Sequence, residues 1–358
     1  MSRKAGILSA AAALLLSAIF GVAAPAQAGS ARQDGGYSAS CDRACLDGFV
    51  DQYLDAVVAH DASRLPVTKL VKFTENGQKL ELGDGFWRSA SARGSYKFYI
   101  EDPPTGEVAF FGTMQEAGDP VILALRLKIE NRKIAEVETI VARGQMAQTG
   151  AKNLEKLGHP DPIYLEDVPA KERVSRLDLV MTANKYFSGM QQNDGKGDYS
   201  FFADDCNRLE NGMQTTNNPN LATARPGQNN AGPHYNPATH PSMYSAAWSC
   251  KDQFQSGLLH FVTRIRDRRF AVVDPERGLA LAFGFFDHSA GSTRTFQTPD
   301  GRTVTAGPTT PFTWEIAELF KVQGGQIHRI QAVLTQGPYG MGSGWSSWNE
   351  AMSDVPRW

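Results

Sequence analysis

The chain has 358 residues, of which 41% are hydrophobic and 21% charged, and its formal net charge at pH 7 is −2. A chain of this length and composition is typical of a globular protein with two domains of ordinary size. Because the charge is close to neutral, no nucleic acid partner is expected. Beyond the N-terminal residues, no stretch is long and apolar enough to predict a membrane span.

The first 28 residues have the pattern of a secretory signal peptide. Arg3 and Lys4 precede an apolar stretch that runs through Leu16 and Ile19, and residues 26–28 form a small-residue cleavage site. The pattern predicts an exported protein, either periplasmic or secreted. Residues 29–40 are rich in Gly, Ser and Gln and are expected to form a flexible segment.

A first domain is predicted over residues 41–143. It opens with a helix from about Asp42 to His60, because apolar residues recur there at helical spacing. Extended segments follow at Lys79–Leu82, Ser95–Ile100, Glu107–Thr113, Val121–Ile129 and Lys133–Arg143. Residues 144–172, rich in Gly, Pro and charge, are predicted to connect this domain to the next.

A second domain is predicted over residues 173–336, again with a helix first, from about Arg173 to Met190. Residues 214–249 form an insertion rich in Asn and Pro. An apolar pattern over Gln253–Asp267 predicts a further helix. The predicted strands are Arg269–Val273, Leu279–His288, Thr313–Val322 and Gln326–Leu334. The tail, residues 337–358, is aromatic and expected to pack on the fold.

The two predicted domains are copies of one another. The matching segments are Lys97–Gly106 with Arg269–Gly278, Phe111–Gly112 with Phe283–Gly284, and Ala124–Val137 with Ala317–Ile330. Residues that both copies carry are interpreted as architecture. Glu75–Gly77 and Glu210–Gly212 are such a case, a turn with Gly at positive φ. A residue that only one copy carries is a candidate for function.

The four cysteines, Cys41, Cys45, Cys206 and Cys250, are expected to form two disulfides in an exported chain. Three connectivities exist. Cys41–Cys45 with Cys206–Cys250 is favoured, since the first pair is four residues apart and the second brackets the insertion. The histidines have no ligand-like spacing and no Cys-x-x-Cys occurs, so no metal and no cofactor are predicted.

Several strings of the chain resemble those of a secreted protein family of unassigned function, known mainly from fungi. They are Cys41–Arg43, Phe73–Gly77, Ile265–Phe270 and Pro338–Met341. The order of elements, a helix followed by a curved antiparallel sheet, resembles the SnoaL-like branch of the nuclear transport factor 2-like superfamily.

The resemblance implies an α+β fold with two tandem cone-shaped SnoaL-like domains, each with helices packed on a curved antiparallel sheet around an apolar pocket. The superfamily includes steroid isomerases, polyketide cyclases, dehydratases and epoxide hydrolases, mostly without a cofactor, as well as binding modules. Because such domains pair through their sheets, the chain is expected to be a monomer that acts as an internal pseudo-dimer, or a homodimer.

Two polar residues stand on the apolar strand faces of the second copy only. Glu318 replaces Leu125, and His328 replaces Ala135. A three-residue turn at Gln323–Gly325 would make Glu318 and His328 diagonal neighbours, with coupled pKa values suited to acid–base catalysis. The alternative is that this edge of the sheet faces solvent and the two residues form a surface pair.

A second candidate set lies on the helix predicted before the strands. His260, Arg264 and Asp267 are spaced at i, i+4 and i+7, and Arg266 is close by. His260, Arg264 or Arg266 would stabilise a developing anion at the mouth of the pocket. The alternative is a solvated helix face with internal ion pairs.

The remaining candidates are ligand contacts: Trp314, Phe320, His234, Tyr235 and Asp287. Together with Glu318 and His328 they predict an exported isomerase, dehydratase or lyase that uses no cofactor and acts on a small, partly apolar organic molecule in the second-domain pocket. The alternative is a non-catalytic binding protein that uses the same pocket.

Overall fold

The computed structural model describes residues 41–224, 245–289, 294–297, 301 and 303–358. The predicted signal peptide, residues 29–40 and the middle of the insertion lie outside the described residues, and so do His234 and Tyr235. Residues 41–358 belong to one compact unit.

The first domain is one long helix packed on a six-stranded sheet. Asp42 caps the helix by accepting a hydrogen bond from the Cys45 amide, and Leu46, Val50 and Leu54 bury one helix face completely. The elements are α1 (Arg43–Val58), β1 (Val67–Glu75), β2 (Gln78–Leu80), β3 (Ala90–Asp102), β4 (Glu107–Glu116), β5 (Asp119–Glu130) and β6 (Lys133–Ala142).

The connector contains a helix that the sequence analysis did not predict, α2 (Gln145–Leu157). Ala147, Ala151 and Leu154 are buried at i, i+4 and i+7 and pack in the core between the two sheets. Gly158 ends the helix in the left-handed conformation, with φ of 76°. The small alanines explain why the pattern gave only a weak helix signal.

The second domain repeats the arrangement. Its elements, with the C-terminal helix, are α3 (Arg176–Met190), β7 (Phe202–Glu210), β8 (Met213–Gln214), α4 (Cys250–Gln255), β9 (Arg264–Asp274), β10 (Leu279–His288), β11 (Arg294–Gln297), β12 (Thr303–Ala306), β13 (Phe312–Gln323), β14 (Gln326–Gly337) and α5 (Trp348–Ala351).

The predicted helix over Gln253–Asp267 is wrong. Helix α4 ends at Gln255, Gly257 adopts a left-handed conformation with φ of 69°, and a single 3-10 turn covers Leu258–Phe261. From Arg264 the chain is extended and pairs with β10. The apolar spacing belongs to two short helical turns and a strand, not to one helix.

The two large sheets have the same topology, so the chain is a tandem repeat of an α+β domain. Their strand orders are β2-β1-β6-β5-β4-β3 and β8-β7-β14-β13-β10-β9. Each sheet has five pairs of neighbouring strands, of which four are antiparallel. The parallel pair is β1 with β6 in the first sheet and β7 with β14 in the second. The expectation of a purely antiparallel sheet therefore fails at one strand in each domain.

The Glu-Asn-Gly segments are architectural, as the repeat predicts. Asn76 and Gly77 have φ of 48° and 73°, and Asn211 and Gly212 have φ of 43° and 71°. Two consecutive positive φ values define the type I′ hairpin turn that joins β1 to β2 and β7 to β8. Both asparagine side chains also hydrogen-bond the neighbouring strand, at Val141 and Leu334.

Each sheet has an inner face, covered by the helix of its own domain, and an outer face that packs on the other sheet. The core between the sheets includes Phe98, Ile100, Phe111, Val272, Phe283 and Leu319, all buried. The two domains therefore associate sheet to sheet within one chain, as the internal pseudo-dimer requires.

Reciprocal ion pairs join the domains. Arg43 at the start of α1 donates to Asp274 of the second domain at 2.7 Å, and Arg176 at the start of α3 donates to Asp102 of the first. Asp102 and Asp274 are nearly fully buried. Each domain thus offers the other the same arginine and the same aspartate, the pattern of a two-fold interface.

Both predicted disulfides are present. Cys41 and Cys45 are bonded with their Cα atoms 5.2 Å apart, and Cys206 and Cys250 with theirs 5.9 Å apart. The tail packs on the fold, as expected: the Trp345 indole N–H donates to Thr74 Oγ1 at 2.8 Å. Among the described residues no helix combines the length and apolar character needed to cross a membrane.

Candidate functional site

The inner face of the second sheet carries a buried carboxyl group. Along β13 the side chains of Trp314, Ile316, Glu318 and Phe320 alternate onto this face, and Glu318 is completely buried. Its paired residues are Ala282 on β10 and Ala332 on β14. Because both neighbours are small, the carboxyl group is not covered by side chains from the adjacent strands.

Glu318 has an unusual environment. Within the described part of the chain, neither carboxylate oxygen has a hydrogen-bond partner. Burial, together with the nearby charge of Glu210, raises the pKa of Glu318 to about 8, even though Arg208 and the Tyr186 hydroxyl act to lower it. At neutral pH the group is mostly protonated and can either donate or accept a proton.

Arg208 is the principal cation of this interior. It lies on β7, is 2% exposed, and its Nε donates to Thr215 Oγ1 at 2.9 Å. Its other nitrogens donate to the Tyr186 hydroxyl at 3.2 Å and to the Gln253 side-chain oxygen. The carboxylate of Glu210 lies 3.4 Å from Nε. The guanidinium is therefore held in one orientation by side chains of α3, α4 and the start of the insertion.

Tyr186 connects the helix to this group. It is fully buried on α3, and burial raises its pKa well above the ordinary value while Arg208 lowers it. The centroid of its ring lies 6.1 Å from that of Phe202, 5.3 Å from that of Phe254 and 5.2 Å from that of Phe320, all within the second-domain core. The hydroxyl is thus fixed beside both Arg208 and Glu318.

A small cavity adjoins Arg208 and Glu210, whereas Glu318 and Tyr186 are not among its walls. Its volume is about 30 Å³, and its walls include Arg208, Glu210, Trp314, Phe261, Phe286 and Leu334. A space of this size holds one or two waters. The walls are mostly apolar and include one acid and one base, a composition typical of small-molecule sites. The volume, however, is well below that of such sites.

The first domain shows the same interior with apolar residues in place of Arg208 and Glu318. Strand registers match: Phe73 pairs with Val137 as Arg208 pairs with Ile330. Likewise Leu125 lies between Phe110 and Thr139 in the first sheet, where Glu318 lies between two alanines in the second. Phe73 and Leu125 are buried members of the first-domain core.

The predicted pairing of Glu318 with His328 is wrong. Lys321 pairs with Arg329 and Val322 with Ile327, so a bulge leaves His328 out of register. Glu318 faces Ala332, four residues further along β14. His328 lies at the surface with its Nδ1 2.7 Å from Asp205 Oδ1. The structure therefore supports the surface alternative for His328 and the buried position for Glu318.

The arginines predicted to lie on a helix are on β9, where they bind an aspartate. Arg264 and Arg266 donate to Asp287, at 2.7 Å and 2.8 Å, and Thr313 donates to it at 2.7 Å. These charges lower the pKa of Asp287, against the effect of burial. Arg266 also donates to the Met341 carbonyl of the tail. This cluster anchors the tail and does not line the interior cavity.

The other predicted residues are separated from one another. Trp314 lines the cavity, and Phe320 is completely buried in the second-domain core. His260 lies in the 3-10 turn, its Nδ1 3.1 Å from the Asn193 carbonyl, and it is not among the cavity walls. The sequence analysis missed Arg208, although the offset that aligns the two Glu-Asn-Gly turns places it opposite Phe73.

Within the described ranges, no group of three or more His, Cys, Asp or Glu side chains is placed to hold a metal ion. The site therefore consists of Glu318, Arg208, Tyr186 and Glu210, set on the inner face of a curved sheet beneath α3. Its chemical capacity is the movement of a proton next to a fixed positive charge.

A model of a domain of unknown function, DUF8021, matches residues 172–334, which contain the second repeat and all four site residues. No curated protein matches the chain.

Two solved structures are similar to parts of the chain. One is a protein of unknown function with a cystatin-like fold from Methylobium petroleophilum. The two sequences are 15% identical, the match covers 30% of this chain and 81% of the other, and the TM-score is 0.25. The other is AclR, a proposed hydroxylase from Streptomyces galilaeus. The two sequences are 14% identical, the match covers 36% of this chain and 92% of the other, and the TM-score is 0.24.

Proposed function

We propose that the second domain is an acid–base catalyst, an isomerase, dehydratase or lyase that needs no cofactor, acting on a small, partly apolar organic molecule. The observation that carries the proposal is Glu318, a fully buried carboxyl group with no hydrogen-bond partner among the described residues. A group in this state costs stability, and it stands where the first domain has Leu125.

The chemistry follows from the neighbours of Glu318. In an isomerisation, the carboxylate takes a proton from a carbon next to a carbonyl, and the electron pair moves to the carbonyl oxygen. Arg208 stabilises the resulting oxyanion, and Glu318 returns the proton to another carbon. In a dehydration, the Glu318 carboxylate takes a proton from the carbon next to the carbonyl, and the same group, now protonated, gives a proton to the hydroxyl that leaves the adjacent carbon as water while the double bond forms. Tyr186 and Gln253 hold Arg208 in place for either reaction.

The interior has to widen for such a reaction, because about 30 Å³ accommodates water and not an organic substrate. Trp314 and Phe261 are partly exposed walls of the cavity, so rotation of these rings is the cheapest route to a larger volume. The rival function, a binding protein without chemistry, uses the same residues. It predicts that Arg208 matters for affinity and that Glu318 moves no proton.

We infer that the protein works outside the cytoplasm. Two disulfides in a chain with no other cysteine are typical of an oxidising compartment. The predicted signal peptide supports the same location. Whether this is the periplasm or the extracellular medium is tested by fractionation of the native host.

The decisive experiment starts with a substrate. Native mass spectrometry of protein purified from its host identifies a co-purified molecule, and turnover of that molecule is then measured. We expect Glu318→Gln to lose turnover by about 10²-fold or more while it still binds. His328→Ala is the matched control, since it removes a titratable group of the same domain at the surface, and it should retain full activity.

Three results discriminate between the functions. If the wild type binds the molecule but leaves it unchanged, and Glu318→Gln alters only the affinity, the protein is a binding module. If Glu318→Gln turns over substrate as fast as the wild type, Glu318 is not the catalytic acid. Loss of turnover in Glu318→Gln with binding intact supports the enzyme.

A further inference from the structure

A cavity of about 300 Å³ lies where the connector meets both sheets. We call it the junction cavity. Tyr96 comes from β3 of the first domain, Leu209 and Gln331 from β7 and β14 of the second, and Tyr164 from the connector. Small-molecule sites favour such junctions, and the volume falls at the lower end of their range of about 300–1,000 Å³.

The junction cavity is distinct from the small cavity of the second-domain interior, although Arg208 lines both. Strand β7 forms the wall between them, since Leu209 packs against the core between the sheets whereas the Arg208 side chain binds Tyr186 on the other face. The cavity also has no counterpart in the repeat, because its connector residues occur once in the chain.

One polar group in the junction cavity lacks a partner. Tyr164 is 3% exposed, its ring lies 5.1 Å from the ring of Phe98, and its hydroxyl makes no hydrogen bond with any other described residue. By contrast, the Tyr96 hydroxyl is paired with the Gln331 amide at 3.1–3.2 Å. A cavity-lining tyrosine whose hydroxyl has no protein partner can hydrogen-bond a molecule that enters the cavity.

The charge of the cavity walls restricts the ligand. Three charged residues line it, and each has an opposite charge nearby: Asp161 pairs with Arg329 at 2.7 Å, and Arg208 Nε lies 3.4 Å from the Glu210 carboxylate. The apolar walls include Leu157, Pro160 and Leu209. A largely apolar cavity whose charged walls are already paired suits an uncharged molecule, since an ion would lose its hydration without gaining a free counter-charge.

We propose that the junction cavity is a second binding site, for an uncharged molecule the size of one aromatic ring that carries a hydroxyl group and hydrogen-bonds Tyr164. The proposal does not depend on the function of the second-domain interior.

The test uses p-cresol as the probe, with toluene and 4-hydroxybenzoate for comparison, and measures dissociation constants by ligand-observed NMR titration. We expect Tyr164→Phe to raise the dissociation constant of p-cresol by about three- to tenfold, which corresponds to the loss of one hydrogen bond, and to leave that of toluene unchanged. Because of its carboxylate, 4-hydroxybenzoate should bind the wild type more weakly than p-cresol does.

Two further variants locate the probe. Leu157 is 54% exposed at the cavity rim, so Leu157→Trp should fill the mouth without disturbing the core and abolish p-cresol binding. Glu318→Gln should bind p-cresol as the wild type does.

The proposal is overturned if p-cresol does not bind the wild type, or if it binds Tyr164→Phe and Leu157→Trp unchanged. It is also overturned if Glu318→Gln alone removes binding, because the probe would then occupy the second-domain interior. Should Tyr164→Phe fail to fold, Leu157→Trp decides by itself.

Discussion

The buried carboxyl group of Glu318 should make the stability of the protein fall as pH rises. The pKa of Glu318 is raised from 4.5 to about 8 by burial, so in this interval the unfolded chain is ionised while the folded protein holds a proton. Folding then takes up a proton, and stability decreases by about 1.4 kcal/mol per pH unit. Across the whole interval the loss is about 5 kcal/mol, and it levels off above the folded pKa.

Glu318→Gln removes this titration and keeps the shape of the side chain. The difference in unfolding free energy between variant and wild type should therefore move in favour of the variant by about 5 kcal/mol between pH 4.5 and pH 8. Urea unfolding of both proteins, followed by tryptophan fluorescence at several pH values, measures the difference, and other titrating groups cancel.

Glu130→Gln is the matched control, because it makes the same substitution at an exposed position at the end of β5. A difference for Glu318→Gln that does not change with pH would show that Glu318 is ionised in the folded protein, and the proposed acid would lose its physical basis.

Three further predictions concern the surroundings of the site. Replacing both cysteines of Cys206–Cys250 by serine should cost about 4 kcal/mol, against about 2 kcal/mol for the disulfide with a sequence separation of only 4, as urea unfolding would show. Asp287→Asn should cost about 3–5 kcal/mol near neutral pH, because it leaves two arginines without their counter-ion. Since the pKa of Asp287 is lowered in the folded protein, this cost should shrink as pH falls through that pKa, which melting curves at decreasing pH would detect. His328→Ala should change stability by less than about 1 kcal/mol, because its partner Asp205 is half exposed, and a larger loss of melting temperature would contradict the surface position.

Alternation along the strands could be read from the sequence, and register could not. The apolar positions of β13 placed Glu318 on the inner face correctly, because side chains of a strand alternate with period 2. The register of β13 with β14 depends on a bulge beside His328. A bulge inserts one residue without a clear sequence signal, so the predicted neighbour of Glu318 was lost.

The helix predicted through Asp267 failed for a different reason. Phe254, Leu258 and Ile265 fit helical spacing, yet Gly257 turns the chain and β9 begins at Arg264. Pairing of β9 with β10 outweighs local spacing here, since it buries both strands against the rest of the sheet. Arg264 and Arg266 consequently lie beside Asp287 and not at the mouth of a pocket.

The repeat itself provides the strongest argument about the interior. The first domain folds with Phe73 and Leu125 in its core, so this architecture does not need Arg208 or Glu318. Replacing buried ionisable groups by apolar residues of similar size is often neutral or stabilising, which means that stability does not explain their presence. Arg208 and Glu318 both occur in the second copy, on strands that meet the same helix residue, Tyr186. Tyr186 is the eleventh residue of α3, and the eleventh residue of α1 is also a tyrosine, Tyr53. The tyrosine therefore belongs to the shared fold, and the arginine and glutamate beside it are the residues of the second domain on which the proposed function depends.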